Sequence, residues 1–284
     1  MATILKGGEV ARAKKSGIMK RVDALKERGI CPALCIVMVG DRKDSHAYVK
    51  GATKALTGCG IDCHLAHFPE GINQNQLLEE INAINKNPEY NGIIVMRPVP
   101  DTIRWGAIEE AISPEKDVDC ITIKNLSKLF KGEGGGFYPC TAKAVVDTLD
   151  HYGIKVEGKK VVVVGRSLVV GKPAAMLLLQ RNATVTICHS KTLDLGRITS
   201  EADIIVAAAG VPHLLGANSV NRESIVLDVG INVVDGKLTG DVDFDRVEPL
   251  VSMITPVPGG VGSVTTSVLM ENIVTAAQRL AGEI

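Results

Sequence analysis

Apolar positions in this chain fall mostly in short unbroken runs, each followed by a glycine or polar break and then by an amphipathic stretch. Residues 33–39, 92–96, 161–164, 204–209 and 225–227 are such runs, dominated by Val, Ile and Ala. Runs of this length, rich in β-branched residues and stopping at Gly or Asn, predict strands of parallel sheets covered on both faces. A weaker strand is predicted over residues 61–68. Helical spacing covers residues 10–28, 45–58, 75–86 and 142–152. Residues 117–119 and 132–136 read as loops. Residues 255–262 hold too much Gly and Pro for a helix or central strand, and an apolar helix follows over 265–281. The alternation predicts an α/β protein of two αβ domains with a cleft between them, the second a Rossmann-type parallel sheet. Residues 1–140 with 265–284 are assigned to the first domain and 141–264 to the second.

Residues 161–191 are the most informative. A strand of four valines runs into Gly165-Arg166-Ser167 and then Gly171-Lys172-Pro173. A helical run over 174–180 follows, then a strand over 183–187 that ends in Cys188-His189-Ser190-Lys191. Strand, glycine turn, helix and strand make the first half of a dinucleotide-binding unit. Glycines there let a phosphate approach the backbone at a helix N-terminus. The spacing is not G-x-G-x-x-G, so the glycines alone fit an ordinary βα turn equally well. The end of the second strand says more. An NAD enzyme usually carries an acid there for the ribose 2′-hydroxyl. This chain has His189, Ser190 and Lys191, with Arg166 available from the first turn. Cations and hydroxyls suit a 2′-phosphate, so NADP is expected over NAD, with Arg166 and Ser190 the stronger candidates. Lys191 fits a solvated surface charge better.

Composition narrows the partners. With 45% hydrophobic residues among 284, the chain can bury one large or two medium cores. Lys+Arg and Asp+Glu both number 32, and no basic cluster appears, which argues against nucleic acid. No apolar run is long enough to span a bilayer and no signal core opens the chain, so a soluble, cytoplasmic protein is expected. The 7 cysteines are an odd number. Cys31/Cys35 and Cys59/Cys63 form two C-x3-C pairs, but Cys35 and Cys63 fall inside strands. They read as small apolar residues, and no metal is expected.

These pieces together resemble the family of methylenetetrahydrofolate dehydrogenase/cyclohydrolases, over essentially the whole chain and in the same order. The resemblance is carried by Ser45-x-x-Tyr48, Pro98-x-Pro100, Lys116-Asp-Val-Asp119, Pro139-Cys-Thr141, Gly165-Arg-Ser167 with Val170-Gly-x-Pro173, His189-Ser-Lys-Thr192, Asp228-Val-Gly-Ile-Asn232 and Thr255-Pro-Val-Pro-Gly-Gly-Val-Gly262. It implies NADP-linked oxidation of 5,10-methylenetetrahydrofolate and, in most members, hydrolysis of the product in the same cleft. It implies a folate-binding first domain, an NADP-binding second domain and a homodimer formed through the second. Tyr48 and Asp119 become the candidate catalytic residues, Tyr48 stacking on the folate ring with Ser45 nearby, and Asp119 bonding the pterin edge. Pro258, Gly259, Gly260 and Thr265 are implied on the substrate side. Thr141, Gly165, Arg166, Ser167, Ser190 and Ile231 are implied for NADP, Ile231 through its backbone.

Two positions depart from the family pattern. A lysine four residues after the tyrosine and a glutamine just before the residue preceding Pro-x-Pro belong to the hydrolytic half of the chemistry. Here they are Ala52 and Met96. On a helix turning roughly 100° per residue, Lys50 and Lys54 point roughly 200° and 240° away from Tyr48, against roughly 40° for Ala52. Arg97 adjoins Met96, but strand neighbours point to opposite faces, and an arginine accepts a proton poorly. Hydride transfer needs orientation and needs no protein base, whereas hydrolysis needs water activated. A dehydrogenase with weak or absent cyclohydrolase activity is therefore expected. Three alternatives stay open: a full bifunctional enzyme using another base, a different NADP-linked oxidoreductase, and a silent NADP- or folate-binding regulator.

Overall fold

The computed structural model describes residues 1–283. The chain opens on a two-residue strand, β1 (Thr3–Ile4), and a long helix, α1 (Gly7–Glu27). There follow β2 (Ala33–Val39), α2 (Lys43–Thr57), β3 (Asp62–Phe68), α3 (Gln74–Lys86), β4 (Gly92–Val95), α4 (Trp105–Ala111) and α5 (Ile123–Lys131). β2 is buried at every position and pairs in parallel with β3 on one side and β4 on the other. Helix α3 starts at a capping box, in which the Asn73 side chain accepts from the Gln76 N–H. Its Leu77, Ile81 and Ile84, at helical spacing, share a core with Cys35, Val37 and Ile93 of the sheet. Burying each such aliphatic side chain is worth roughly 1.5–3 kcal/mol. A single parallel bridge, Ile93 to Asp117, extends this sheet beyond β4.

The second half continues with α6 (Cys140–His151), β5 (Lys160–Val164), α7 (Gly171–Leu179), β6 (Thr184–Cys188), α8 (Leu195–Ser200), β7 (Ile204–Ala207) and β8 (Ile225–Asp228). A hairpin of β9 (Asn232–Val234) and β10 (Lys237–Thr239), then α9 (Phe244–Val247), β11 (Met253–Ile254) and α10 (Gly262–Leu280) complete it. Six strands form one sheet in the order β1-β11-β8-β7-β5-β6, every pair parallel. Parallel sheets alternating with helices in both halves give the α/β class read from the sequence.

The chain divides into two compact units. One is Met1–Ala13 with Pro139–Val268, and the other is Lys14–Tyr138 with the chain from Leu269 onward. The first thirteen residues thus fall on the opposite side from their expected assignment. The cause is β1, whose Thr3 and Ile4 pair with Met253 and Ile254 of β11. The Gly7 N–H also donates to the Gly259 carbonyl at 2.8 Å. A strand of two residues carries no periodicity to read. The rest of α1 is tied to α10 within the other unit, where Lys14 Nζ meets Glu271 Oε2 at 2.7 Å and Arg21 Nη2 donates to Thr275 Oγ1 at 2.8 Å. Among the described residues no helix is long and apolar enough to cross a membrane.

Candidate active site

From β5 the chain runs through α7 to β6 on one flank, then returns to β7 on the other, so strand order reverses between β5 and β7. Open α/β sheets bind ligands outside the carboxyl ends of the strands at such a point. A cavity of about 440 Å³ lies there, with Gly165, Arg166, Ser167 and Ser190 on one side and Ala208 and Val211 on the other. Four of the six residues predicted for the cofactor therefore converge. Thr141, in the first turn of α6, and Ile231, after β8, lie outside this lining, as does Lys191. The loop after β6 braces itself, the His189 N–H donating to Thr192 Oγ1 at 2.9 Å and the Lys191 N–H to His189 Nδ1 at 3.1 Å. A guanidinium and a hydroxyl at the cavity offer donors to a phosphate-bearing ligand.

The glycines answer first to the backbone. Gly165 has φ +130°, and a Cβ on it would stand 2.0 Å from the Ala208 carbonyl oxygen. A Cβ on Gly171 would stand 2.2 Å from the carbonyl oxygen of Gly165. The turn is packed against the end of β7 and the start of α7 before any phosphate arrives. Ser167 Oγ accepts from the Val170 N–H at 3.1 Å, serving a donor near the start of α7.

Two buried carboxylates hold the neighbouring loops. Asp241 accepts from the N–H groups of Ala209 (2.6 Å), Gly210 (2.9 Å) and Val211 (2.9 Å), and from Asn232 Nδ2 (3.0 Å). Asp228 accepts from the N–H groups of Gly230, Asp241 and Val242 at 2.9–3.0 Å. Burial pushes its carboxyl up to about 6, against the pull of those three donors. Gly230 and Gly240 are required here, since a Cβ would lie 2.2 Å from Asp241 Oδ1 and 1.8 Å from Asp228 Oδ2, respectively. In the sequence Asp241 is marked only by a Gly-Asp pair before an apolar residue. A second cavity, about 210 Å³, is lined by Asp228, Gly230 and Ile231 together with Pro258, Gly259 and Gly260. The Gly-Pro turn predicted for substrate thus meets the residue predicted to offer its backbone to the cofactor. Thr265 lies in the first turn of α10, outside that lining.

In the other unit, α2 buries Ser45, Ala52 and Leu56 on one face, while Tyr48 is 46% exposed. Lys50 and Lys54 are exposed. The Lys116-Asp-Val-Asp119 motif splits by role. Asp117 is buried and accepts from the N–H groups of Ile121 and Thr122, from Thr122 Oγ1 and from Asn125 Nδ2, all at 2.7–2.9 Å. Lys116 is buried and donates to the Asn87 carbonyl at 2.6 Å. Asp119 is exposed at the turn these two build. The isolated Ile93–Asp117 bridge sets the start of this turn beside β4.

Met96 and Arg97 follow the end of β4, beyond the reach of strand alternation. β4 stops at Val95, so the rule does not extend to them. The Arg97 guanidinium lies 3.6 Å from the centre of the Trp105 ring and its Nη2 lies 3.8 Å from Glu109 Oε1. Its charge also acts on that of Asp119. The carboxyl ends of β2 and β4, this unit's own point of reversal, border a cavity of about 370 Å³ lined by Gly40, Asp41, Arg42, Glu70, Pro98 and Pro100. Beside it the ligating atoms of Asp41, His46 and His67 lie within 4.8 Å of one another. His67 Nε2 donates to the Gly40 carbonyl at 3.0 Å, which requires its proton, and His46 Nε2 lies 3.1 Å from Asp41 Oδ1. Hydrogen bonds close that cluster. Burial pushes the Cys35 thiol up to about 11, so it stays protonated.

Residues 5–119 match the model of the tetrahydrofolate dehydrogenase/cyclohydrolase catalytic domain, and residues 139–281 match that of the NAD(P)-binding domain. The chain belongs to the tetrahydrofolate dehydrogenase/cyclohydrolase family. It is 46% identical over 279 residues to the bifunctional protein FolD of Alkaliphilus oremlandii, covering 98% of each chain. The bifunctional FolD from Campylobacter jejuni has a similar structure, with a TM-score of 0.96 and 42% identity over 98% of this chain and 99% of that one. So does the Trypanosoma brucei dehydrogenase-cyclohydrolase complexed with NADP and inhibitor, with a TM-score of 0.92 and 37% identity over 98% of both. The family's NAD(P)-binding region contains the whole β5–β7 cavity. Its catalytic region contains Ser45, Tyr48, Ala52, Met96 and Asp119.

Proposed function

We propose that this family member catalyses the NADP-dependent oxidation of 5,10-methylenetetrahydrofolate to the methenyl form. The observation that carries it is the cavity at the β5–β7 reversal, furnished with Arg166 and Ser190 and lacking the acid that would read a ribose 2′-hydroxyl. When bound, the dinucleotide supplies a nicotinamide ring that accepts a hydride. The chain's own part is to hold and orient. Gly165 and Ser167 shape the turn, while Arg166 and Ser190 receive the 2′-phosphate and Ile231 offers its backbone. Tyr48 stacks on the substrate's ring, Ser45 supports it from the same helix, and Asp119 accepts from the ring's amino and N–H groups. Pro258, Gly259, Gly260 and Thr265 are assigned to the substrate, and Thr141 to the cofactor. The unit of residues 14–138 and 269 onward is thus read as folate-binding, and the other as NADP-binding.

For hydrolysis two observations point in opposite directions. Relatives such as the Alkaliphilus protein are named bifunctional, which favours a second activity here as well. The chain's own residues oppose it at full rate, because Ala52 is 7% exposed and apolar and Met96 carries no proton-handling group. Loss of a general acid or base costs on the order of 10²–10⁴ in rate. Hydrolysis is therefore expected to lag oxidation. The deciding experiment follows NADP and NAD reduction with methylenetetrahydrofolate, and separately the loss of methenyltetrahydrofolate absorbance above the buffer blank. Comparable rates of oxidation and hydrolysis would establish the bifunctional alternative. Binding of both ligands without NADP reduction would establish a silent binder instead. A homodimer through the NADP-binding unit belongs to the same proposal, and sedimentation measures it.

A further inference from the structure

Asp41, His46 and His67 come from three segments of one unit, yet their ligating atoms meet. Asp41 lies in the loop after β2, His46 in the first turn of α2, and His67 one residue before the carboxyl end of β3. His67 is the register partner of Met38, and Phe68 that of Val39. The Gly40 N–H carries this pairing one step further, to the Phe68 carbonyl at 2.9 Å. The His46 N–H closes the first helical turn on the Arg42 carbonyl at 3.1 Å. Backbone bonds on either side of the cluster thus set where its three side chains start, the kind of rigid support a ligand-binding constellation needs. None of the three has a part in the proposed function. His46 and Tyr48 are two residues apart on α2, roughly 200° round the helix. The cluster therefore faces away from the residue proposed to stack on the folate.

The separations fit a metal ion. Asp41 Oδ1 lies 3.1 Å from His46 Nε2 and 3.4 Å from His67 Nε2, and the three ligand atoms all fall within 4.8 Å of one another. Zn²⁺ binds imidazole nitrogen and carboxylate oxygen at roughly 2.0–2.2 Å in a tetrahedron, whose edges are then roughly 3.3–3.6 Å. Two of the three edges already stand close to that length. We infer that Asp41, His46 and His67 form a binding site for a divalent transition metal of the Zn²⁺ class, with water in the fourth position. Two imidazoles and one carboxylate suit such an ion, whereas Mg²⁺ and Ca²⁺ take oxygen ligands. The side chains of Asp41, His46 and His67 are 80%, 46% and 34% exposed, which gives the ion a path from solvent. The neighbouring Arg42 is engaged by Asp44 through two hydrogen bonds of 3.1 and 2.7 Å, so its charge opposes the ion little. Without metal, His67 Nε2 donates to the Gly40 carbonyl at 3.0 Å. Metal binding moves that proton to Nδ1 and puts the ion in its place, so the hydrogen bond and the metal are two uses of one nitrogen. The bound ion would tie the loop after β2, the start of α2 and the end of β3 together. The site does not depend on the proposed function.

The test is calorimetric titration of zinc sulfate into the full chain, for wild type, Asp41→Asn, His46→Gln and His67→Gln. Wild type should bind one ion. Each substitution should weaken binding at least tenfold, since even the loss of an outer partner of a metal ligand costs roughly 10–100-fold. Zn²⁺ should raise the Tm of wild type and leave that of each variant unchanged. Cys31 is an exposed cysteine and the rival ligand, so Cys31→Ser should bind as wild type does. A second measurement needs no variant: Co²⁺ bound to wild type should give a tetrahedral visible spectrum without a thiolate charge-transfer band. Absence of Zn²⁺ binding to wild type, a loss smaller than tenfold in the three variants, or a thiolate band with Co²⁺ would overturn the inference.

Discussion

Removing the Asp241 carboxylate should cost both stability and ligand affinity. Asp241→Ala deletes the acceptor of three consecutive backbone N–H groups, from Ala209, Gly210 and Val211, and of the Asn232 amide. A hydrogen bond to a charged group is worth roughly 1.5–3 kcal/mol net. The three loop residues are themselves exposed, so water replaces part of what is lost and each of the four bonds counts for about 1 kcal/mol. The expected destabilisation is about 3–4 kcal/mol, a large fraction of the 5–15 kcal/mol typical of whole proteins. It should appear as a drop of roughly 6–12 °C in Tm. Ala208 and Val211 line the cofactor cavity, so NADP affinity, measured by calorimetry well below Tm, should fall about tenfold or more. Asp241→Asn retains one acceptor oxygen and should lose about half as much stability. An alanine variant with Tm within 2 °C of wild type and unchanged NADP affinity would show that another contact shapes this loop.

Three further outcomes are expected. Asp228 has its carboxyl raised from 3.8 to about 6, so the folded chain binds its proton more tightly than the unfolded one. Its contribution is fully present below pH 3.8 and lost as pH rises through 6, about 3 kcal/mol in all. The Tm difference between wild type and Asp228→Asn should therefore change across that window, and a constant difference contradicts the assignment. Arg166→Gln should raise KM for NADP by about tenfold and leave KM for NAD nearly unchanged, because only the 2′-phosphate loses a partner; equal effects on both cofactors would place Arg166 elsewhere. The Ala52→Lys, Met96→Gln double variant should hydrolyse methenyltetrahydrofolate at least tenfold faster than wild type. A gain absent from a variant that still oxidises its substrate would mean that other groups handle the water.

The long elements were legible because they repeat. β2 and β5 are continuous apolar runs, and α3 places Leu77, Ile81 and Ile84 on one stripe, which no other conformation explains. β1, β11 and the β9–β10 hairpin are two or three residues long and left no period to find. α4 and α5 were hidden for another reason, since short helices in segments marked by Asp, Gly and Pro look like the loops that flank them. The cofactor cavity was legible through Gly165, Arg166, Ser167 and Ser190, though the glycines serve contacts with Ala208 and with one another, which sequence cannot show. Strand alternation does not reach Arg97, because β4 ends at Val95. Asp117 and Asp119 share a motif, and nothing in it says which is buried.

That last distinction organises both units. Asp117, Asp228 and Asp241 are buried acceptors of backbone N–H groups, and each shapes a loop from inside the protein. Tyr48, Asp119, Arg166 and Ser190 are exposed and have side-chain chemistry to offer a ligand. Changing the first kind removes the loop, so stability and affinity fall together. Changing the second kind alters affinity or rate with little cost to the fold, since exposed substitutions away from such anchors usually stay within about 0.5 kcal/mol. Ala52 and Met96 stand between the two classes. Ala52 packs on the buried face of α2 with Ser45 and Leu56, where an apolar side chain needs no partner and a lysine would have to carry its ammonium out to solvent. Neither Ala52 nor Met96 carries a group that handles protons, and neither is one of the backbone anchors. Under the proposed function that composition slows hydrolysis and spares hydride transfer, which is the difference the double variant measures.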